Sequence, residues 1–238
     1  MLLCATATRQ EFLAVFPGWN GAPAEHRILP IRRGSAACIT GVGPINAGIA
    51  IGRILALHGE ISGVLNLGLA GGFDLARAPL GSCTLVTEEI WPEYGLLGDN
   101  GIDAQGLGFA QWENDGRPVF DRLPLLTDMT VLGLPQPVDA IPGISLTVAG
   151  VSASAKRAAM LAQRHHPLSE NMEGFAVALA CARQAVPCAE LRVISNKVGS
   201  RAPQDRAFPL ALAQLGALGQ YLFDQKNYEH SVTNPSRR

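Results

Sequence analysis

Apolar residues in this chain fall into short blocks separated by glycine-rich turns, a pattern that predicts buried strands alternating with helices. Strands are predicted at residues 2–7, 27–31, 36–40, 64–67, 82–90, 145–150 and 188–194. Helices are predicted at residues 8–16, 45–58, 152–166 and about 206–225, with a further helix inside 169–188. Strands and helices that alternate in this way form a three-layer α/β domain.

The helix inside 169–188 has a single acid at its beginning. Every residue from Gly174 to Cys181 is small or apolar, so this helix has no polar face and is predicted to be buried on most sides. Asn171 is the predicted N-cap, which places Glu173 in the first turn, where the helix dipole favours a negative charge. Such a role would explain the acid, but a carboxylate in apolar surroundings also needs a polar partner. Glu173 is therefore a candidate functional residue.

Three other strand ends have features of a ligand site. Glu11 lies in the first turn or so of the helix after the first strand, and ligands of open α/β sheets bind at the carboxyl ends of strands. Glycines in GVGP at 41–44 and NLGLAGGFD at 66–74 would let the backbone approach a sugar or a phosphate. Tight turns explain these glycines equally well. A dinucleotide site is disfavoured, because Asn46 stands where the third glycine of that fingerprint belongs.

Composition narrows the class of partner. The net charge is -1, and only 16% of the 238 residues are charged while 47% are hydrophobic, so we expect a homodimer or a higher homo-oligomer. The absence of a Lys/Arg block argues against nucleic acid and membrane surfaces as partners. Without a membrane span, a signal sequence or paired cysteines, we predict a cytoplasmic protein with reduced cysteines and no metal or other cofactor.

The sequence also divides the chain into a domain and a tail. We predict one domain over residues 1–225 and a polar, loosely structured tail at 226–238. Within the domain, residues 91–122 are glycine-rich and show little periodicity. A loop of this length is often a lid over a ligand or a contact between subunits.

Five segments together resemble the superfamily of purine nucleoside phosphorylases and 5′-methylthioadenosine nucleosidases, over roughly residues 1–224. Within that superfamily the similarity is greatest to the futalosine-hydrolysing branch, which serves the alternative menaquinone route. The resemblance implies a three-layer α/β/α sandwich around a central mixed sheet, with a purine nucleoside as small-molecule substrate. The segments are the strand-to-helix junction at Glu11, GVGPINAG at 41–48, NLGLAGGFD at 66–74, ENMEGFAVA at 170–178 and LRVISNKVG at 191–199.

The same resemblance implies roles for particular residues. Glu173 would accept hydrogen bonds from the ribose hydroxyls, Glu11 would activate the attacking water as general base, and Asn196 would meet the purine. Further contacts with the substrate are implied at Gly71, Val151, Met172, Ser195 and Phe208.

Two departures from the superfamily pattern bear on the reaction. Asn196 stands where methylthioadenosine nucleosidases have an aspartic acid, and an amide NH2 suits the N7 and O6 acceptors of a 6-oxopurine such as hypoxanthine. Leu67 and Leu69 leave the glycine segment without the arginine and serine that phosphorylases place around phosphate, so water is the predicted nucleophile. The alternatives are a nucleoside phosphorylase, a methylthioadenosine or adenosylhomocysteine nucleosidase, and a nucleoside-binding protein without turnover.

Overall fold

A computed structural model describes residues 1–223 except 20–22, 25–26, 33, 100 and 115. The predicted tail at 226–238 lies outside the described residues. No helix in the described ranges is long and apolar enough to cross a membrane.

The helices are α1 (Arg9–Val15), α2 (Pro44–Leu57), α3 (Ala155–His165), α4 (Gly174–Arg183) and α5 (Phe208–Phe223). The strands are β1 (Leu2–Thr6), β2 (Ile28–Arg32), β3 (Ser35–Ile39), β4 (Gly63–Gly72), β5 (Cys83–Ile90), β6 (Leu96–Gly98), β7 (Gly101–Asp103), β8 (Trp112–Asn114), β9 (Arg117–Val119), β10 (Arg122–Pro124), β11 (Ile141–Thr147), β12 (Ser169–Asn171) and β13 (Cys188–Lys197).

In the described part of the chain, nine strands form one mixed sheet. Its order is β10-β5-β11-β12-β4-β1-β3-β2, and β13 pairs with both β4 and β5. Strand β13 is parallel to β4 and antiparallel to β5. Because it pairs with both, the strands β4, β12, β11, β5 and β13 form a closed ring within the sheet. This ring brings residues from distant parts of the sequence to the same end of the sheet.

Helices cover both faces of the sheet and complete the three layers. Phe12 of α1 and the apolar side of α5 belong to the core on one face, while Ile51 of α2 and the apolar side of α4 belong to the core on the other. Successive residues of β1 alternate between the layers, so that Cys4 joins the first core and Ala5 the second. A strand buried on both faces is apolar throughout. The predicted three-layer fold with a mixed sheet is confirmed.

Several elements differ from the sequence-based prediction. The glycine segment at 66–74, predicted as the end of a strand, continues β4 as far as Gly72, because its glycines leave room for side chains from neighbouring elements. Strand β11 begins at Ile141, four residues earlier than predicted. The predicted loop at 91–122 contains the hairpins β6–β7 and β8–β9, and β10 begins at its last residue. Short alternating pairs of this kind have too little periodicity to be recognised from sequence.

Candidate active site

Glu11 is held at the carboxyl end of β1 by the first turn of α1. Thr8 is the N-cap, and its Oγ1 accepts the N–H of Glu11 at 3.2 Å, while Glu11 Oε2 accepts the N–H of Thr8 at 2.9 Å. This capping box satisfies two N–H groups that a helix start leaves unpaired. The other oxygen, Glu11 Oε1, accepts the N–H of Leu69 on β4 at 2.9 Å. Glu11 is buried, and these hydrogen bonds fix the direction of its carboxylate.

Glu173 begins α4 in a manner that the sequence did not predict. The helix starts at Gly174, and Glu173 is itself the N-cap, although its side chain does not cap the helix. Asn171, the predicted N-cap, is the last residue of β12. From there its Oδ1 accepts the N–H groups of Glu173 at 2.8 Å and Gly174 at 2.7 Å. The predicted positions of Asn171 and Glu173 were wrong, because a side chain on a strand satisfies the helix start.

Since it does not cap α4, the Glu173 carboxylate reaches the beginning of a different helix. Its Oε1 accepts the N–H of Gly43, the N-cap of α2, at 2.9 Å. Gly43 has φ of 93°, a left-handed conformation that glycine adopts without steric cost. The glycine of the GVGP segment thus turns its N–H toward Glu173.

Arg192 on β13 joins the two predicted acids. Its Nη1 lies 3.8 Å from Glu173 Oε2. A β-carbon at Gly68 would lie 2.7 Å from both Arg192 Nη1 and Glu11 Oε1, so the missing side chain at Gly68 leaves the space in which these two groups approach each other. The sequence reasoning gave Arg192 no role. The sequence feature that could have identified Arg192 is its pairing with Glu190, because these two charged residues lie on one face of an otherwise apolar strand.

In this cluster, carboxyl groups outnumber the single cation, Arg192. Burial raises the pKa of Glu173 above its ordinary value, opposed by Arg192 and the Gly43 N–H and reinforced by Glu11. Burial also disfavours the charge on Arg192, but the carboxylates of Glu190 and Glu173 outweigh that effect and raise the pKa of the guanidinium. Fixed carboxylates around one buried cation suit a ligand that develops positive charge. Across the described ranges, no group of three or more His, Cys, Asp or Glu side chains is arranged to hold a metal ion.

A second polar group lies further along β13. Ser195 Oγ donates to Asn196 Oδ1 at 2.9 Å, which leaves the amide NH2 of Asn196 as the end that can donate to a ligand. This NH2 has a long contact, 3.4 Å, with the carbonyl oxygen of Lys197. Gly71 pairs with Asn196 across the two strands, and a β-carbon there would lie 3.1 Å from Nδ2. Glycine at this position therefore gives the amide its space.

The distance between the Arg192 cluster and Asn196 is about the length of a nucleoside. Arg192 is paired with Gly68 and Asn196 with Gly71, so they are separated by three residues of β4, roughly 10 Å at the rise of a strand. The Glu11–Arg192–Glu173 cluster could accordingly face a sugar while Asn196 faces a base.

The remaining predicted contact residues lie around the same strand end. Met172 is half-buried beside Glu173. Val151 and Phe208 are 46% and 45% exposed, and each adjoins a residue whose backbone is hydrogen-bonded to β13 or to the segment just after it. The carbonyl of Ser152 accepts the N–H of Gly199 at 3.0 Å, and the N–H of Ala207 donates to the carbonyl of Ser195 at 2.8 Å. Their roles in binding stay predictions.

Comparison with known proteins defines the class. A family model described as the phosphorylase superfamily matches residues 23–218, and the chain belongs to this superfamily, as the sequence motifs predicted. A futalosine hydrolase from Acidothermus cellulolyticus is 32% identical over 224 residues, which cover 90% of this chain and 86% of that protein. A futalosine hydrolase from Thermus thermophilus is 36% identical over 168 residues, 68% of this chain and 69% of that protein.

Solved structures share the fold at low sequence identity. The 5′-methylthioadenosine/S-adenosylhomocysteine nucleosidase of Neisseria meningitidis superposes with a TM-score of 0.68 at 18% identity, over 91% of this chain and 93% of that chain. Futalosine hydrolase of Helicobacter pylori gives a TM-score of 0.68 at 16% identity, over 96% of this chain and 97% of that chain. Both structural similarities establish the fold, and they do not identify the substrate.

Proposed function

We propose that this protein hydrolyses the N-glycosidic bond of futalosine and releases hypoxanthine and dehypoxanthine futalosine, a step of the futalosine route to menaquinone. The relatives named futalosine hydrolases support the choice of substrate. The reaction type rests on one observation, the placement of Glu11 and Glu173 around the buried guanidinium of Arg192. Breaking an N-glycosidic bond builds positive charge on the ribose, which fixed carboxylates stabilise more in the transition state than in the ground state.

Each polar group has a role in this proposal. Glu173 accepts hydrogen bonds from the ribose hydroxyls and faces the developing cation. Glu11 takes a proton from the attacking water, and Arg192 keeps the two carboxylates close without leaving their charges unopposed. Asn196 donates to the departing purine through its NH2, with Ser195 fixing the amide orientation. Gly71, Val151, Met172 and Phe208 complete the proposed substrate contacts.

The carboxylates that already surround Arg192 favour hydrolysis over phosphorolysis. Its Nε donates to Glu190 at 2.8 Å, and its Nη1 faces Glu173, so the guanidinium is already matched by carboxylates. A phosphate would have to displace these partners or enter a site with excess negative charge. Leu67 and Leu69 of β4 offer no hydroxyl or cation to hold it.

The test is chromatography of the free purine released from four nucleosides, each with and without phosphate. The nucleosides are futalosine, aminofutalosine, methylthioadenosine and inosine. Futalosine and aminofutalosine differ at the base, whereas futalosine and inosine differ at the 5′ group. We expect hypoxanthine release from futalosine at a rate that phosphate does not change. Turnover that depended on phosphate would establish a phosphorylase instead, and preference for methylthioadenosine would establish an adenine nucleosidase.

The matched variant for base recognition is Asn196→Asp. The wild type is expected to prefer futalosine over aminofutalosine by about 10-fold to 10²-fold in kcat/KM, the value of one well-placed hydrogen bond and of avoiding an unpaired donor. The carboxyl group of Asn196→Asp can accept from the 6-amino group of adenine, so the preference should shrink or reverse. An unchanged ratio of the two substrates would remove Asn196 from base recognition.

We also propose a homodimer that works in the cytoplasm. The outer face of α2 and the residue before its N-cap are apolar and exposed, with Val42 at 49%, Ile45 at 75% and Ile49 at 58%. All five cysteines are free thiols, which suits a reducing compartment. Sedimentation equilibrium should give a dimer for the wild type and for Val138→Lys, which alters an exposed residue elsewhere, and a monomer for Ile49→Lys. A monomeric wild type would exclude the dimer.

A further inference from the structure

A second pair of carboxyl groups lies beneath the beginning of α4. Glu89 on β5 and Glu190 on β13 are both 0% exposed. Their carboxyl groups lie close together, because Asn171 Nδ2 donates to Glu89 Oε1 at 2.6 Å and to Glu190 Oε1 at 3.2 Å. They meet below Gly174, where a β-carbon would overlap Glu89 Oε1 and lie 2.7 Å from Glu190 Oε2. Two ionised carboxylates this close together in a buried site repel each other, which favours a proton on one of the two groups.

The surrounding donors place the negative charge on Glu190. Its Oε1 accepts from Arg192 Nε at 2.8 Å and from Asn171 Nδ2 at 3.2 Å, and its Oε2 accepts from Asn66 Nδ2 at 3.0 Å. One of these donors is a buried cation, and a charge-assisted hydrogen bond is stronger than a neutral one. These donors thus stabilise a negative charge on Glu190.

Glu89 has a different set of neighbours. Its oxygens accept from two neutral groups, the Thr147 hydroxyl and the Asn171 amide, each at 2.6 Å. Burial, followed by repulsion from Glu190, raises the pKa of Glu89 well above its ordinary value, and Arg192 opposes this rise. The Cys188 thiol faces the same pair from β13. The neighbours from β11, β12 and α4 are the uncharged residues Thr147, Asn171 and Gly174.

We propose that Glu89 and Glu190 hold a single proton, that the charge stays on Glu190, and that this charge positions Arg192 for the reaction. Glu190 fixes the Nε side of the guanidinium, which directs Nη1 toward Glu173 and Glu11. A second charge on Glu89 would draw the guanidinium away from these acids. Glu190 is a positioning residue that acts through Arg192. Protonated Glu89 keeps the negative charge of the pair at a single unit.

Two isosteric variants separate the partners. In Glu89→Gln, the amide can donate to Glu190 as the protonated acid does, so turnover of futalosine should be retained. In Glu190→Gln, Arg192 loses its anchor, and kcat should fall on the order of 10²-fold, as expected for a misplacement of about 1 Å, with a smaller change in KM. Equal losses of kcat in both variants would overturn the assignment of the charge.

The pH profile gives a second kinetic measurement that does not need Glu190→Gln to fold. Above the raised pKa of Glu89, the wild type acquires a second negative charge beside Arg192, and kcat should decline. Glu89→Gln has no such ionisation, so its plateau should extend to higher pH. Identical alkaline profiles would show that ionisation of Glu89 does not affect Arg192.

Two measurements test the shared proton without reference to catalysis, whereas the kinetic ones rest on the proposed function. Infrared spectroscopy at neutral pH should show a buried protonated carboxyl in the wild type that is missing in Glu89→Gln. A group with a raised folded pKa stabilises the fold fully below its unfolded pKa and loses that contribution as pH rises toward the folded value. Glu89→Gln should therefore gain stability relative to the wild type above about pH 4.5. If the infrared band persists and the stability difference does not change with pH, Glu89 does not carry the proton.

Discussion

Replacing Glu11 with glutamine should lower kcat for nucleoside hydrolysis on the order of 10² to 10⁴-fold, the usual contribution of a positioned general base. The amide cannot take a proton from water, although it nearly preserves the shape of the side chain. Steady-state rates of hypoxanthine release at saturating substrate measure the effect. KM should change less than kcat, because the proton transfer occurs in the chemical step.

The control for Glu11 must separate catalysis from capping. Glu11 Oε2 accepts two hydrogen bonds from Thr8, so Glu11→Gln also weakens the capping box. Thr8→Ala removes the Oγ1 partner of the box and keeps the carboxylate, at a cost of about 1 kcal/mol in unfolding free energy. We expect Thr8→Ala to lose stability with little loss of kcat. If kcat falls as far in Thr8→Ala as in Glu11→Gln, Glu11 acts as a helix cap alone.

The second large effect is expected for Glu173→Gln, with kcat lower on the order of 10² to 10³-fold, the range seen when one electrostatic contact with a developing charge is removed. Glutamine keeps the shape and can still accept the N–H of Gly43. It loses the charge that faces the ribose cation. Activity of the wild type should also decline on the acid side at a pH above that of an ordinary glutamate, because burial raises the pKa of Glu173.

Thermal unfolding at several pH values distinguishes this role from a structural one. A carboxyl group with a raised folded pKa contributes stability below its unfolded pKa and loses it as pH rises through the folded value. Ionised Glu173 is therefore a cost at neutral pH, which Glu173→Gln removes. We expect the stability of the variant relative to the wild type to increase as pH rises above about 4.5 toward the folded pKa of Glu173. A lower melting temperature together with normal turnover would mean that Glu173 is structural.

The sequence by itself determined the features that depend on neighbours along the chain. The apolar blocks predicted the strands and helices that build the three layers. Glu11 lies in the first turn of the helix that follows the first strand, as predicted, and Pro44 begins α2 as its sequence position indicates. The motifs predicted the superfamily and brought Glu11 and Glu173 forward as candidates. These conclusions hold because helix starts and periodic burial are local properties.

Only the tertiary structure decided how the polar residues are partnered. Asn171 caps α4 from a strand, and Glu173 binds the start of a helix 130 residues away in sequence. Strand β4 runs through its glycines because side chains of α1 and β13 fill the space above them. Glu89 and Glu190 meet because β5 and β13 belong to the same closed ring. Such contacts depend on strand pairing between distant segments, and residue spacing along a chain carries no record of which strands will pair.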